Sequence, residues 1–202
     1  VSGIKLETSA ATAKGIFNAI NTTYKFLTNK ELSGTTIAIS GIGKVGSKLS
    51  RLLFEKKANL IVSNIGRDPI DQLKHEKISF MESDINSIFE QECDIISPCA
   101  LGRAINSETK KKLKCKAIVG AANNQLDKSE TAEWLRENNI FYAPDYLVNS
   151  GGVIAISCEI NNSEDTLDDQ LNKISDKVLL LLKESKKSSL STDKIVEDLA
   201  WK

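Results

Sequence analysis

Residues 35–64 of this 202-residue chain read TTIAISGIGKVGSKLSRLLFEKKANLIVSN, and this stretch decides the predicted fold. An apolar strand is followed by a glycine turn, an amphipathic helix and a second apolar strand. Gly41 allows a tight turn, Gly43 leaves the backbone open to a pyrophosphate, and Gly46 lets the helix lie close to the strand. The start of the helix offers free N–H groups to the phosphates.

The pattern GxGxxG is weak on its own, because glycine-rich turns are common. Here it follows a predicted strand and begins a predicted helix, which is the context that a dinucleotide site requires. The sequence therefore predicts a dinucleotide-binding turn. The alternative is a structural strand-to-helix turn that is rich in glycine.

Strand and helix patterns alternate along the chain until about residue 148, and only helical patterns follow. This order predicts an α/β fold of the Rossmann type, with a doubly wound, mainly parallel sheet, flanking helices and a helical C-terminal tail. A helix is expected at 106–113, with Asn106 as its cap. Further strands are expected at 78–81, 94–97, 116–120 and 140–143.

Composition excludes several classes of protein. Lys+Arg and Asp+Glu both number 27, so the net charge is zero and broad binding to nucleic acid or to an anionic membrane is not expected. Four cysteines without a CxxC pair, and a single histidine, do not predict a metal site. We expect free thiols in a reducing cytoplasm. The chain starts at Val1 without methionine, and we expect a piece of a longer protein.

Ligands of such sheets bind at the carboxyl ends of the strands. Amide side chains suited to an amide ligand, such as a nicotinamide carboxamide, occur after the later strands, at Asn123, Asn124, Gln125 and Asn149. Turn formation or helix capping is the alternative role for each of them. Cys99 follows Pro98 at a predicted strand end; we favour a small buried residue over a nucleophile, since no histidine lies near it in sequence.

Dinucleotide folds usually place an acidic residue at the end of the second strand, where it binds the adenosine ribose hydroxyls. Asn64 occupies this position, and Arg67 follows it. A carboxylate would repel a 2′-phosphate, whereas Asn64 would not and Arg67 could pair with one. The cofactor is therefore predicted to be NAD or NADP, with NADP tolerated or preferred. The alternative is that Arg67 is an exposed loop arginine.

Three longer motifs resemble the cofactor domain of the glutamate/leucine/phenylalanine/valine dehydrogenases. They are residues 97–102 (SPCALG), 120–126 (GAANNQL) and 143–154 (APDYLVNSGGVI). The leucine dehydrogenase branch is the most similar, and the likeness extends from about Thr12 to Glu159. The resemblance implies oxidative deamination of an L-amino acid to a 2-oxo acid and ammonia, with NAD(P) as cofactor.

The resemblance also implies roles for individual positions. Those implied to contact the cofactor are Thr12 at the nicotinamide end, Gly43, Lys44 and Val45 at the phosphates, Ala100 and Leu101 beside the adenosine and ribose, and Asn124 and Asn149 at the nicotinamide ribose and carboxamide. Val153 and Ile156 resemble positions that line the amino-acid side-chain pocket, which favours an apolar substrate. Asn64 departs from the family, where aspartate is usual.

In that family, catalytic lysines and an aspartate lie in an amino-terminal domain that these 202 residues do not resemble. We therefore expect no catalytic residue in this chain, and nucleotide binding without turnover. The expected division is a connector helix in 1–33, the dinucleotide-binding Rossmann domain in 34–148, and C-terminal helices packing on it in 149–202. The alternatives are a non-catalytic NAD(P)-binding or sensing module and a different dehydrogenase class that shares only the fold.

Overall fold

The computed structural model describes residues 6–200, and a six-stranded sheet forms its centre. Across the sheet the strands lie in the order β3-β2-β1-β4-β5-β6, and every pairing among them is parallel. The predicted α/β fold with a mainly parallel sheet is confirmed. In chain order the strands are β1 (Thr36–Ser40), β2 (Asn59–Ser63), β3 (Met81–Glu82), β4 (Ile95–Pro98), β5 (Ala117–Ile118) and β6 (Phe141–Tyr142).

The strand order reverses between β1 and β4. The chain builds β2 and β3 outward from β1, and then returns to place β4 on the other side of β1. Ser40 and Pro98 are paired in register at the ends of these two strands, so the loops that follow them leave the sheet side by side. Open α/β sheets bind ligands at this switch point.

Both faces of the sheet are buried, as the apolar strand sequences require. Ile37 and Ile39 of β1 pack into the larger apolar cluster, whereas Ala38 between them packs into the smaller cluster on the opposite face. The larger cluster is covered by helices from both ends of the chain. The smaller cluster includes Leu135, which lies in the helix Ser129–Glu137. It also includes Ile88 and Phe89 of a short 3-10 helix, Ile88–Glu90.

The α-helices of the described residues are α1 (Thr8–Thr28), α2 (Lys44–Glu55), α3 (Asp68–His75), α4 (Ser129–Glu137), α5 (Asp145–Val148), α6 (Gly151–Ile160), α7 (Leu167–Ser185) and α8 (Thr192–Ala200). Helices α1, α2, α3, α5, α6, α7 and α8 contribute side chains to the larger cluster, and α4 contributes to the smaller one. Within residues 6–200, no helix combines the length and the apolar character that crossing a membrane requires.

Two predicted elements differ in the structure. The strand expected at 78–81 begins only at Met81, because the N–H of Ile78 bonds back to the carbonyl of Leu73 at 3.0 Å and ends α3. The helix expected at 106–113 is a short 3-10 helix, Thr109–Lys112. The N-cap of this helix is Glu108, not Asn106 as predicted, although Oδ1 of Asn106 accepts hydrogen bonds from the N–H groups of Glu108 and Thr109 at 3.0 and 3.1 Å and orders the turn before the helix.

Candidate functional site

The glycine turn after β1 is packed so closely that side chains are excluded at two positions. Gly41 has a φ of 101°, and a Cβ added to it would lie 2.6 Å from the Cβ of Ala100. A Cβ added to Gly46 would lie 2.0 Å from the carbonyl oxygen of Gly41. These two glycines therefore allow α2 to pack against the end of β1 and the loop after β4.

Gly43 differs from them, because the space around it is open. It is the N-cap of α2, with an extended backbone, and a Cβ added there would meet no heavy atom within 4 Å. No side chain of the described chain caps this helix, and its first turn carries no acidic residue. Exposed Lys44 begins the helix, while Val45 is half-buried and packs against the core. The arrangement leaves backbone N–H groups and a positive helix end facing open space, which suits an anion.

Asn64, at the end of β2, ties the second loop to the glycine turn. Its Oδ1 accepts a hydrogen bond from the N–H of Ile42 at 2.9 Å, and its Nδ2 donates to the carbonyl of Gly66 at 2.8 Å. A carboxylate could accept the first bond but could not donate the second. The amide therefore orders the loop at 64–66 and keeps the end of β2 next to the glycine turn.

Arg67 is held by two carboxylates. Its Nε lies 3.3 Å from Oδ1 of Asp71, and its Nη1 donates to Oε1 of Glu82. All three side chains are exposed to a substantial degree. The arginine thus lies beside the loop where the sequence predicted it, and it is paired within the chain.

The loops after β4 and β5 contact each other. Ala100 and Leu101 are exposed, and 74% of Leu101 is accessible to solvent. A Cβ added to Gly102 would lie 2.6 Å from the carbonyl oxygen of Asn123 and 3.1 Å from that of Asn124. Leu101 therefore projects outward at the switch point, while Gly102 packs on the loop after β5.

Asn124 adopts a left-handed backbone with a φ of 51°. Its N–H donates to Oδ2 of Asp145 at 2.9 Å, and the hydroxyl of Tyr142 donates to Oδ1 of the same carboxylate at 2.9 Å. Burial, and then the charge of Asp145, raise the pKa of Tyr142 well above its usual range, so this hydroxyl remains a donor. Sequence reasoning missed both Tyr142 and Asp145, although Asp145 lies within the 143–154 motif.

Asn149 and Thr12, the other residues predicted to contact the cofactor, lie at the far end of the carboxyl edge of the sheet. Nδ2 of Asn149 donates to Oδ1 of Asn123 at 2.7 Å, which joins the loop after β6 to the loop after β5. A Cβ added to Gly151 would lie 2.4 Å from the carbonyl oxygen of Ala11, and one added to Gly152 would lie 3.0 Å from Oγ1 of Thr12. The start of α6 therefore packs on α1 at Thr12.

Val153 and Ile156, predicted to line a substrate pocket, lie on α6 just beyond this contact. Val153 is 71% exposed and Ile156 is half-buried. Ile160, one further turn along, is 74% exposed. These three residues form an apolar stripe on the surface of α6.

Two other residues considered from the sequence have structural roles here. Gln125 is fully buried, and its Nε2 donates to the carbonyls of Gly120 and Ala122 at 2.8 and 3.0 Å, so it shapes the loop after β5. Burial raises the pKa of the Cys99 thiol, which disfavours the thiolate that a nucleophile needs. Among residues 6–200, no cluster of three or more histidine, cysteine, aspartate or glutamate side chains is placed to hold a metal ion.

Comparisons with known proteins identify the relatives of this chain. The sequence model of the glutamate/leucine/phenylalanine/valine dehydrogenase family matches residues 3–66 and 61–194. The phenylalanine dehydrogenase of Thermoactinomyces intermedius is 38% identical over 195 residues, which cover 94% of this chain and 53% of that protein. The leucine dehydrogenase of Bacillus subtilis is 42% identical over 153 residues, covering 75% of this chain and 42% of that protein. The chain thus spans about half the length of the curated relatives that it matches.

Solved structures agree on the fold. The crystal structure of L-tryptophan dehydrogenase from Nostoc punctiforme superposes with a TM-score of 0.92 at 30% identity, covering 97% of this chain and 60% of that one. Hetero-hexameric glutamate dehydrogenase from Thermus thermophilus gives a TM-score of 0.72 at 16% identity, covering 92% of this chain and 49% of that one. The second similarity concerns the fold alone.

Proposed function

This chain belongs to the glutamate/leucine/phenylalanine/valine dehydrogenase family, and we propose that it is the cofactor-binding domain of an enzyme that oxidatively deaminates an apolar L-amino acid. In this proposal residues 34–148 bind a nicotinamide dinucleotide and residues 149–202 pack on them. Residues 1–33 connect them to a further domain of the kind that makes up the rest of the longer relatives.

The observation that carries the proposal is the continuous row of contacts along the carboxyl edge of the sheet. The row begins at Asn64, passes through the glycine turn and the loops after β4 and β5, and continues through Asn149 to Thr12. A helix start that no side chain of the N-cap residue caps, and that would suit an anion, lies near one end, and amide side chains lie toward the other. An edge of this length and chemistry suits an extended dinucleotide better than a single phosphate or a nucleoside.

The phosphate and adenosine parts of the dinucleotide would lie at one end of this edge. The first turn of α2, from Gly43 to Val45, would bind the two phosphates, with the ammonium of Lys44 adding a positive charge. Asn64 would bind the adenosine ribose, and Ala100 and Leu101 would cover the adenosine. When bound, the dinucleotide supplies the acceptor for the hydride of the amino acid.

The other end of the edge would position the reactive ring. Asn124 and Asn149 would hold the nicotinamide ribose and carboxamide, and their own hydrogen bonds to Asp145 and Asn123 fix their places. Thr12 would close the nicotinamide end, and the exposed apolar residues Val153 and Ile156 would face the substrate side chain. An apolar lining favours an aliphatic or aromatic amino acid over glutamate, because it offers no partner for a second carboxylate.

We assign no catalytic residue to this chain. Deamination needs a base for the attacking water and a cation for the substrate carboxylate, and both would come from the further domain. The chain by itself would therefore bind the dinucleotide without oxidising an amino acid.

Two assays on the 202-residue chain test this proposal. Titration with NADH, followed by nucleotide fluorescence, is expected to show saturable binding. Incubation with NAD or NADP and L-leucine or L-phenylalanine is expected to give no reduced nucleotide. Absence of NADH and NADPH binding at millimolar concentration would refute the cofactor assignment, and turnover by this chain alone would refute the assignment of catalysis to another domain.

A further inference from the structure

Glu82 contacts two cations, Arg67 at the end of the loop after β2 and Lys74 in the last turn of α3. Its Oε1 accepts from Nη1 of Arg67, and its Oε2 lies 3.2 Å from Nζ of Lys74. Asp71 contacts Arg67 as well, at 3.3 Å, but within residues 6–200 it forms no ion pair with Lys74. Glu82 is thus the carboxylate that joins the two cations.

The fold brings Glu82 to the ribose side of the candidate site. Glu82 pairs in register with Val62 on β2, two residues before Asn64. The N–H of Ser83 then donates to the carbonyl of Val62 at 2.8 Å, which fixes the end of β3 against the end of β2. In dinucleotide folds the 2′ position of the adenosine ribose lies at the end of the second strand.

We propose that Glu82 selects NAD over NADP, by keeping Arg67 and Lys74 paired and by placing a negative charge beside the 2′ position. The inference rests on the proposed function and names the cofactor within it. NADP differs from NAD by one phosphate at the 2′ position, and that phosphate needs free cations. Glu82 both occupies the cations and repels the added charge.

The charges around the loop support this role. Lys74, and then Arg67, lower the pKa of Glu82, so the carboxylate is ionised at neutral pH. Asp68 and Asp71 at the start of α3 add further negative charge on the same side. With Asn64 neutral, discrimination against a 2′-phosphate falls to these groups, and among them Glu82 alone contacts both Arg67 and Lys74.

The test compares NADH and NADPH binding by fluorescence titration of the 202-residue chain and its variants. The unchanged chain is expected to bind NADH more tightly than NADPH. Glu82→Gln is expected to raise NADPH affinity about five- to twentyfold, the effect of one or two exposed ion pairs, and to change NADH affinity less than about twofold. The gain should shrink as salt is added, because exposed charges are screened.

Glu76→Gln is the matched control. Glu76 lies at the other end of α3 and pairs with Arg51 at 2.6 Å, so this variant removes the same charge and an ion pair away from the loop. Adding Arg67→Ala to Glu82→Gln is expected to abolish most of the gain. An unchanged NADPH-to-NADH ratio in Glu82→Gln, or an equal gain in the control, would overturn the inference while leaving the proposed function intact. Failure of the unchanged chain to bind either nucleotide would refute both.

Discussion

Replacement of Gly43 by alanine separates cofactor binding from folding. The backbone of Gly43 has φ −78° and ψ −158°, a conformation that any L-residue adopts, and its added Cβ would meet no heavy atom within 4 Å. The fold therefore accommodates the methyl group. Because alanine is a poorer N-cap than glycine, we expect a loss of about 0.5–1 kcal/mol in the free energy of unfolding.

The effect on the ligand should be far larger. The methyl group would stand in the open space over the start of α2, where a glycine lets a pyrophosphate approach the backbone. Loss of one charge-assisted hydrogen bond between an N–H group and a phosphate costs about 1.5–3 kcal/mol. This corresponds to roughly 10- to 150-fold weaker binding of NADH.

NADH titration of Gly43→Ala, with urea unfolding of the same preparation, measures both quantities. A nearly unchanged urea midpoint with a large loss of NADH affinity is the expected result. NADH affinity equal to that of the unchanged chain would refute the reasoning, since the phosphates could then not lie at this turn.

Three further predictions concern stability, measured by urea unfolding. Gly46→Ala is expected to cost about 3 kcal/mol or more, because the added Cβ would lie 2.0 Å from a backbone oxygen that cannot move aside. Gly151→Ala should be similarly costly, with a backbone oxygen 2.4 Å away, whereas Gly15→Ala should be nearly neutral because its 2.7 Å neighbour is the flexible end of Ile174. Burial raises the pKa of Cys93 from 9.0 to about 12, so its stabilising contribution is complete below pH 9 and is lost as the pH rises toward 12. At pH 10 the loss from this thiol should be about 1.4 kcal/mol. Cys93→Ala should reduce the total loss by that amount, since the thiol of Cys115, whose pKa burial also raises to about 12, still titrates.

The sequence predicted the fold well where the signals are local. The glycine turn, the helix after it and the two flanking strands depend on apolar periodicity and on glycine positions within one 30-residue unit. The edge strand β3 was misplaced because it has only two residues, Met81 and Glu82, and both are exposed. The position of β3 is set by its pairing with β2. No sequence pattern within residues 78–82 indicates that pairing.

The sequence predicted which residues lie at the candidate site better than it predicted the contacts that these residues make. Motifs identified Asn64, Arg67 and Asn124, but each is held by a partner 15 to 22 residues away along the chain. Such partners meet only through the sheet order, so the pairing of Arg67 with Glu82 could not be read from spacing. The NADP preference considered from the sequence assumed an unpaired arginine, and the proposal made for Glu82 reverses that preference.

The glycines of the turn show which part of the motif the fold explains and which part it leaves to a ligand. Gly41 and Gly46 are required by packing, since a side chain on either would collide with Ala100 or with the backbone of the turn. A structural strand-to-helix turn would account for both of them. It would not account for Gly43, whose backbone tolerates any residue and whose surroundings are empty. A side chain such as serine or aspartate would cap α2 better than glycine does, so glycine costs the helix some stability at this position. An anion that binds the same N–H groups in place of a capping side chain resolves that conflict, because it satisfies the helix start and needs the space that a side chain would fill.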